Sequence, residues 1–208
     1  MKITEQDKYT DYERIAKYTE RFGSDYTEAL KQINDNIGKS VLSLFETGDM
    51  SSLTEVLFIE RCLNLLCEGG RMAIVLPEGV LNNTKLQKVR DYVEGKAKII
   101  NITSIPQDVF IASGATVKPS LLFFKKFTEL EAKQYNTIKE QATETINEKH
   151  KEEIESLENQ LSQRGLSKEE KKELKDKLNQ ILQQVEDETK QEVKTKFDYE
   201  IPIVEVEK

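Results

Sequence analysis

Paired carboxylates, two cysteines, one histidine and one glycine pair are the groups in this chain whose types are suited to chemistry. Carboxylates that are close in sequence can share a proton or hold a metal. Nearly all such pairs here lie between residues 129 and 196, among 17 acidic and 13 basic side chains, where a solvated helical face is the default reading. Cys62 and Cys67 stand five apart in an apolar stretch. A helix would separate them by about 140°, which is poor geometry for a shared metal, so two buried core thiols are expected. His150 has no partner cluster, and a solvated position or the edge of an apolar stripe is expected for it. No Ser or Cys nucleophile has a credible His partner. Gly69-Gly70 is too short to cradle a phosphate and precedes a strand rather than a helix.

Charge narrows the choices further. The net charge of −7 excludes a uniformly basic nucleic-acid coat. Residues 85–126 nevertheless carry eight basic and three acidic groups, and only local charge matters to a phosphate backbone. Lys85, Lys88, Lys118, Lys125 and Lys126 are therefore candidate phosphate contacts, with solvated surface lysines as the alternative. Pro77, Glu78, Gly79, Asn82 and Asn83 follow an apolar strand, where open α/β sheets place ligands. They read as a pocket rim or as a plain loop. No apolar run approaches the roughly 20 residues of a membrane span, and the first residues lack the apolar core of a secretory signal. With two thiols, a reducing cytoplasm is expected.

The elements that would position these residues fall into two kinds. Residues 1–128 hold eight of the nine glycines and balanced charge, and look globular. Residues 129–196 hold one aromatic, Tyr135, and one glycine, Gly165, and look like long solvated helices. Within the first part, residues 1–52 read as an N-terminal helical segment. Its first helix is opened by Thr10-Asp11, and Ser24 caps the second. Thr54 to Leu66 is apolar nearly all round, so a helix buried against a sheet is expected. Met72 to Leu76, after a Gly-Gly turn, reads as a central parallel strand. A helix to about Glu94, a strand at Ile99–Ile102 and a strand at Val117–Phe124 follow. Pro119 marks an edge strand or a strand's beginning. This rhythm is that of a doubly wound α/β sheet over 53–128. Residues 131–195 then form an antiparallel coiled-coil hairpin of two arms, each about 45 Å long. Gly165 is read as the residue that ends the first arm, and Ser167 with Glu170 as a capping box on the second. Residues 197–208 are the final strand returning to the sheet. A β-hairpin with the preceding strand is expected, its connection extended into the coiled coil.

Two blocks carry a resemblance. Residues 56–83, Val-Leu-Phe-Ile-Glu-Arg-Cys-Leu-Asn-Leu-Leu-Cys-Glu-Gly-Gly-Arg-Met-Ala-Ile-Val-Leu-Pro-Glu-Gly-Val-Leu-Asn-Asn, form the first. Residues 105–126, Ile-Pro-Gln-Asp-Val-Phe-Ile-Ala-Ser-Gly-Ala-Thr-Val-Lys-Pro-Ser-Leu-Leu-Phe-Phe-Lys-Lys, form the second. Both resemble the N6-adenine DNA methyltransferases, and more narrowly the modification (M) subunit of type I restriction–modification systems. The resemblance implies a partial Rossmann-like class I methyltransferase sheet with S-adenosylmethionine as the methyl donor. It implies DNA, specificity (S) and restriction (R) subunits and a second M subunit as partners, with no membrane association. It also implies that an aromatic in the Val109-Phe110 element packs against the flipped adenine, with a buried loop anchor as the alternative role for Phe110.

The departures matter as much. The family holds S-adenosylmethionine with a Gly-rich loop after its first strand, and grips the target amine with Asn-Pro-Pro-Phe/Tyr. Neither occurs here, and Pro77, Pro106, Pro119 and Pro202 are never adjacent. The chain thus resembles the C-terminal part of the catalytic domain. It contains no catalytic residue of its own and is expected to be inactive alone, with little affinity for the donor. The other reading is a non-catalytic interaction protein that binds a partner through its coiled coil. Half a sheet would also leave an uncovered edge.

Overall fold

The computed structural model describes all residues except 9, 115, 164–166 and 207–208. The chain divides into two compact units, Met1–Lys126 with Pro202–Lys208, and Phe127–Ile201.

The first unit is mixed α/β. Helices α1 (Tyr12–Phe22) and α2 (Ser24–Asp35) open it. Asp11 caps α1, its side chain accepting from the Arg14 amide. At α2 the cap residue is Gly23 at φ 62°, and Ser24 is already the first helical residue, so the Ser24 cap expected from the sequence does not form. A left-handed Gly23 turns the chain so sharply that no residue is left between the helices to act as a side-chain cap.

Helix α3 (Thr54–Leu65) leads into β1 (Arg71–Pro77), then α4 (Glu78–Asn82), α5 (Gln87–Glu94), β2 (Ala97–Ser104), β3 (Pro119–Lys126) and, at the far end of the chain, β4 (Ile203–Glu205). The sheet order is β1-β3-β2-β4. Strand β3 is antiparallel to both β1 and β2, and β4 is parallel to β2. Two expectations change here, and the Pro119 reading resolves to a strand's beginning. Strand β1 lies at the sheet edge with an antiparallel neighbour, not in a parallel centre. Its continuous apolar run combines Met72, Ile74 and Leu76 on one face with Ala73 and Val75 on the other, and Val75 remains 50% exposed. Pro119 begins β3, and β3 is central. The last strand makes no hairpin with β3, because β1 and β2 already occupy both of its edges; β4 takes the free edge of β2, where the Ile102 amide donates to the Pro202 carbonyl.

The core lies on one face of this sheet. Val56, Ile59 and Leu63 of α3 and Val89, Tyr92 and Val93 of α5 pack with Leu76, Leu122, Phe124 and Ala97. Helix α3 is not buried all round. Phe58 is 57% and Leu65 75% exposed, because a helix laid on one sheet face buries only one stripe. Cys67 is exposed and Cys62 half-buried, both as free thiols, so neither is a fully buried core thiol. Cys67 falls beyond the last turn of α3, in the connection to β1.

In the second unit α6 (Glu129–Leu161) and α7 (Lys168–Lys196) pack side by side. They run antiparallel, since Tyr135 near the start of α6 meets Phe197 just beyond α7, with ring centroids 5.4 Å apart. Thr128 with Glu131 and Ser167 with Glu170 form capping boxes at the two N-termini. Gly165 lies outside the described residues; α6 closes at Leu161 with Ser162 as its C-cap. His150 is neither solvated nor at a stripe edge: it is 7% exposed. The positions Ala142, Ile146, His150 and Ile154 repeat every four residues, which carries the imidazole into the contact stripe.

Candidate functional site

The expected rim begins where β1 ends. The Glu78 amide donates to the Lys118 carbonyl at 3.0 Å, so the segment before β3 holds the start of α4 in place. Glu78 Oε1 also lies 3.4 Å from Lys118 Nζ, and the same ammonium is 3.8 Å from Glu205 Oε1. Lys118 is therefore engaged by two carboxylates. Asn83 turns the chain after α4, its side-chain oxygen accepting from the Lys85 amide at 2.9 Å. Arg90, on α5, closes the turn from below. Its guanidinium donates to the carbonyls of Val80 at 3.2 Å and Asn83 at 2.8 Å. Five donors in a planar fork suit a guanidinium to two carbonyls at once. Gly79, Asn82 and Asn83 stay exposed, and Pro77 and Glu78 are half-buried.

The five candidate lysines do not form one patch by a common element. Lys85 and Lys88 are exposed on the turn before α5 and on α5 itself. Lys118 precedes β3. Lys125 and Lys126 end β3 but point to opposite faces, as successive strand residues must. Lys126 reaches the core side, where its ammonium donates to the Leu66 carbonyl at 2.8 Å and satisfies the end of α3. Lys125 stands opposite Arg71 on β1 and Lys98 on β2.

Phe110 sits half-buried in a 3₁₀ segment, Gln107–Ser113, between the exposed side chains of Val109 and Ile111. Pro106 starts this segment, and Gly114 ends it in the left-handed region at φ 79°. Gln107 donates from its side chain to the Thr116 carbonyl and closes the loop.

Two features escape sequence reading. One is Arg90, whose partners are backbone carbonyls that leave no mark in a sequence. The other is Glu60, 3% exposed on α3. It accepts from the Glu46 amide at 3.0 Å and from the Thr47 amide and hydroxyl at 2.8 Å each. This carboxylate holds residues 46 and 47, in a stretch, 39–52, that carries no clear element signal. Beside it, burial holds the Tyr92 hydroxyl far above its ordinary pKa, with Glu60 and Glu46 adding to the shift. Lys96 Nζ stands 4.5 Å over the Tyr92 ring and pairs with Glu46 at 2.7 Å. The available signal for Glu60 was a carboxylate standing next to Ile59 on the apolar stripe of α3. Among the described residues no group of His, Cys, Asp and Glu is placed to hold a metal ion, and no helix is long and apolar enough to cross a membrane.

No curated protein matches the chain. Among solved structures, it is similar to the M protein of the type I restriction enzyme EcoKI, with 30% identity and a TM-score of 0.35, over 39% of this chain and 17% of that one. A structure on complex assembly and conformational transition of the type I restriction–modification system matches at 27% identity and a TM-score of 0.38, over 43% of this chain and 18% of the other. A class I S-adenosylmethionine-dependent methyltransferase assignment from Listeria monocytogenes matches at 22% identity and a TM-score of 0.36, over 42% and 27%. The matched region thus spans between 17% and 27% of those proteins' length. The family model for N-6 DNA methylases matches residues 21–203, and the chain belongs to that family.

Proposed function

We propose that this chain is part of the modification subunit of a type I restriction–modification system, which transfers a methyl group from S-adenosylmethionine to N6 of adenine in DNA. The family match over residues 21–203 carries this reading. In it, the four-stranded sheet is the C-terminal part of a class I methyltransferase sheet. Helices α6 and α7 are a coiled-coil insertion, either a docking arm for a specificity subunit or a second modification subunit or a passive insertion.

The donor does not fit the residues present. The rim after β1 spends its polar groups internally: Glu78 on Lys118, Asn83 on the Lys85 amide, and the local carbonyls on Arg90. The sequence holds neither a Gly-rich loop nor an Asn-Pro-Pro-Phe/Tyr segment. The chain therefore lacks the preorganised acceptors for the target amine and does not methylate DNA by itself. What it contributes is Phe110 as a stacking surface for an extruded adenine, with Lys85 and Lys88 on the DNA backbone.

The test has two arms. The purified 208-residue chain, given labelled S-adenosylmethionine and duplex DNA, transfers no methyl group; robust transfer refutes the reading. In an enzyme complete with the missing motifs, Phe110→Ala lowers turnover about 5- to 150-fold, the equivalent of roughly 1–3 kcal/mol of base stacking, with the melting temperature kept. Unchanged turnover removes Phe110 from the site.

A further inference from the structure

The segment that carries Phe110 is held at its ends and not along its length. Gln107–Ser113 is a 3₁₀ run of seven residues, and none of them is buried. Val109 is 52% and Ile111 58% exposed on either side of Phe110. Runs of this helix longer than about four residues are uncommon, because their hydrogen bonds are poorly aligned. Neither intrinsic preference nor burial therefore fixes where the Phe110 ring points. The chain on the far side of the loop is better anchored. The Lys118 carbonyl accepts from the Glu78 amide at 3.0 Å, and the Pro119 carbonyl accepts from the Ile105 amide at 3.1 Å. Gln107 joins the two sides. Its side-chain amide donates to the Thr116 carbonyl, just ahead of the anchored Lys118. Gly114, left-handed at φ 79°, reverses the chain between them.

We infer that Gln107 is a positioning residue, which aims Phe110 by tying its 3₁₀ segment to the anchored entry of β3. The inference rests on the reading of Phe110 as a stacking surface for an extruded adenine. Gln107 itself touches neither the base nor the methyl donor; it acts through the backbone that carries the ring. A loop that must be ordered at the moment of binding gives up part of its contact energy to that ordering. A segment tied down beforehand lets the ring deliver more of its stacking. Residue type matters at this position. The Thr116 carbonyl offers only an acceptor, so its partner must donate, and the amide nitrogen of Gln107 does so. A methionine has the same reach and no donor. Gln107 and Thr116 are both exposed. Loss of their bond is therefore felt in the order of the loop and not in the stability of the unit, as is usual for a surface substitution.

The chain has no tryptophan, so Phe110→Trp places a single fluorescent reporter on the loop of the 208-residue protein. Adding Gln107→Met to that variant should lower the tryptophan anisotropy and make acrylamide quenching about twofold faster. Gln107→Lys, which returns a donor to the position, should restore both. The circular dichroism melt should stay the same in all three. In the complete enzyme with Phe110 intact, Gln107→Met should lower kcat about 3- to 10-fold with KM for S-adenosylmethionine unchanged, since the ring is misaimed and not removed. Gln107→Lys should recover the rate. Gln107→Met added to Phe110→Ala should slow the enzyme no further, because the two residues act as one unit. Unchanged anisotropy and quenching in Gln107→Met overturn the inference, as does a loss of rate that persists once residue 110 has been truncated. Turnover lowered by Phe110→Ala and untouched by Gln107→Met removes the positioning role alone. Turnover unchanged by Phe110→Ala removes the stacking reading and the positioning role with it.

Discussion

Replacing Glu60 tests the buried carboxylate that anchors residues 46 and 47. In Glu60→Ala, the Thr47 amide and hydroxyl lose the carboxylate oxygen they share at a residue with no solvent exposure, and the Glu46 amide loses a third hydrogen bond. A buried donor left without an acceptor costs about 1–3 kcal/mol. The two at Thr47 therefore amount to about 2–6 kcal/mol, while the Glu46 amide can turn to water. That is a large share of the 5–15 kcal/mol that holds a typical domain together. At roughly 4 °C per kcal/mol for a unit of this size, the melting temperature should fall by about 8 °C or more. Glu60→Gln keeps one acceptor oxygen and should fall between the two. Thr47→Val removes the hydroxyl alone and should cost about 1 kcal/mol. Thermal unfolding followed by circular dichroism measures all three, and a double-mutant cycle of Thr47→Val with Glu60→Gln should show coupling above 0.5 kcal/mol. A Glu60→Ala protein melting within 2 °C of the parent would mean that residues 46 and 47 are held by something else, and the reasoning would fail.

Two further perturbations follow from single positions. A Cβ at Gly48 would lie 2.0 Å from the Leu42 carbonyl oxygen, a backbone atom that cannot swing aside; Gly48→Ala should destabilise the first unit by about 1–3 kcal/mol, and an unchanged denaturant midpoint would contradict the close approach. Glu188 is held down to a pKa of about 2, chiefly by its hydrogen bond from Lys149, then by Gln184 and His150. Because its folded-state pKa is depressed, its contribution is full above the ordinary carboxylate range and is lost as pH falls from about 4.5 toward 2. The α6–α7 pair should lose thermal stability over that window, and Glu188→Gln should shrink the loss; an identical acid profile in the variant would remove Glu188 from the account.

The sequence was legible where a local rule decides the outcome. Helix α3 and the capping box at Ser167 each depend on a few neighbouring residues, and each lies where the pattern puts it. Strand partners were not legible. Met72 to Leu76 has the same apolar continuity whether it lies between parallel neighbours or beside one antiparallel strand, because Ala73 and Val75 are apolar without being covered. His150 illustrates a residue-type expectation defeated by position: a four-residue repeat from Ala142 to Ile154 outweighs the polarity of an imidazole once Glu188 stands 3.1 Å away to receive it.

The same limit explains why the candidate site was only half visible. A lysine's sequence neighbours say nothing of the face it takes on a strand. Lys125 and Lys126 are adjacent, yet one joins Arg71 and Lys98 on the uncovered face and the other closes the end of α3. Charge counted along the chain over residues 85–126 merges these two roles. Counted across the sheet, it separates cations that hold the fold from cations that stay at the surface. Lys118 and Lys126 belong with the first group, since Glu78, Glu205 and the Leu66 carbonyl take them. Arg71, which lies outside the basic segment altogether, stays exposed at the sheet edge. Neutralising Lys126 should therefore lower the melting temperature, while neutralising the exposed Arg71 should change stability by no more than about 0.5 kcal/mol; an equal loss in both variants, read by thermal unfolding, would contradict the division.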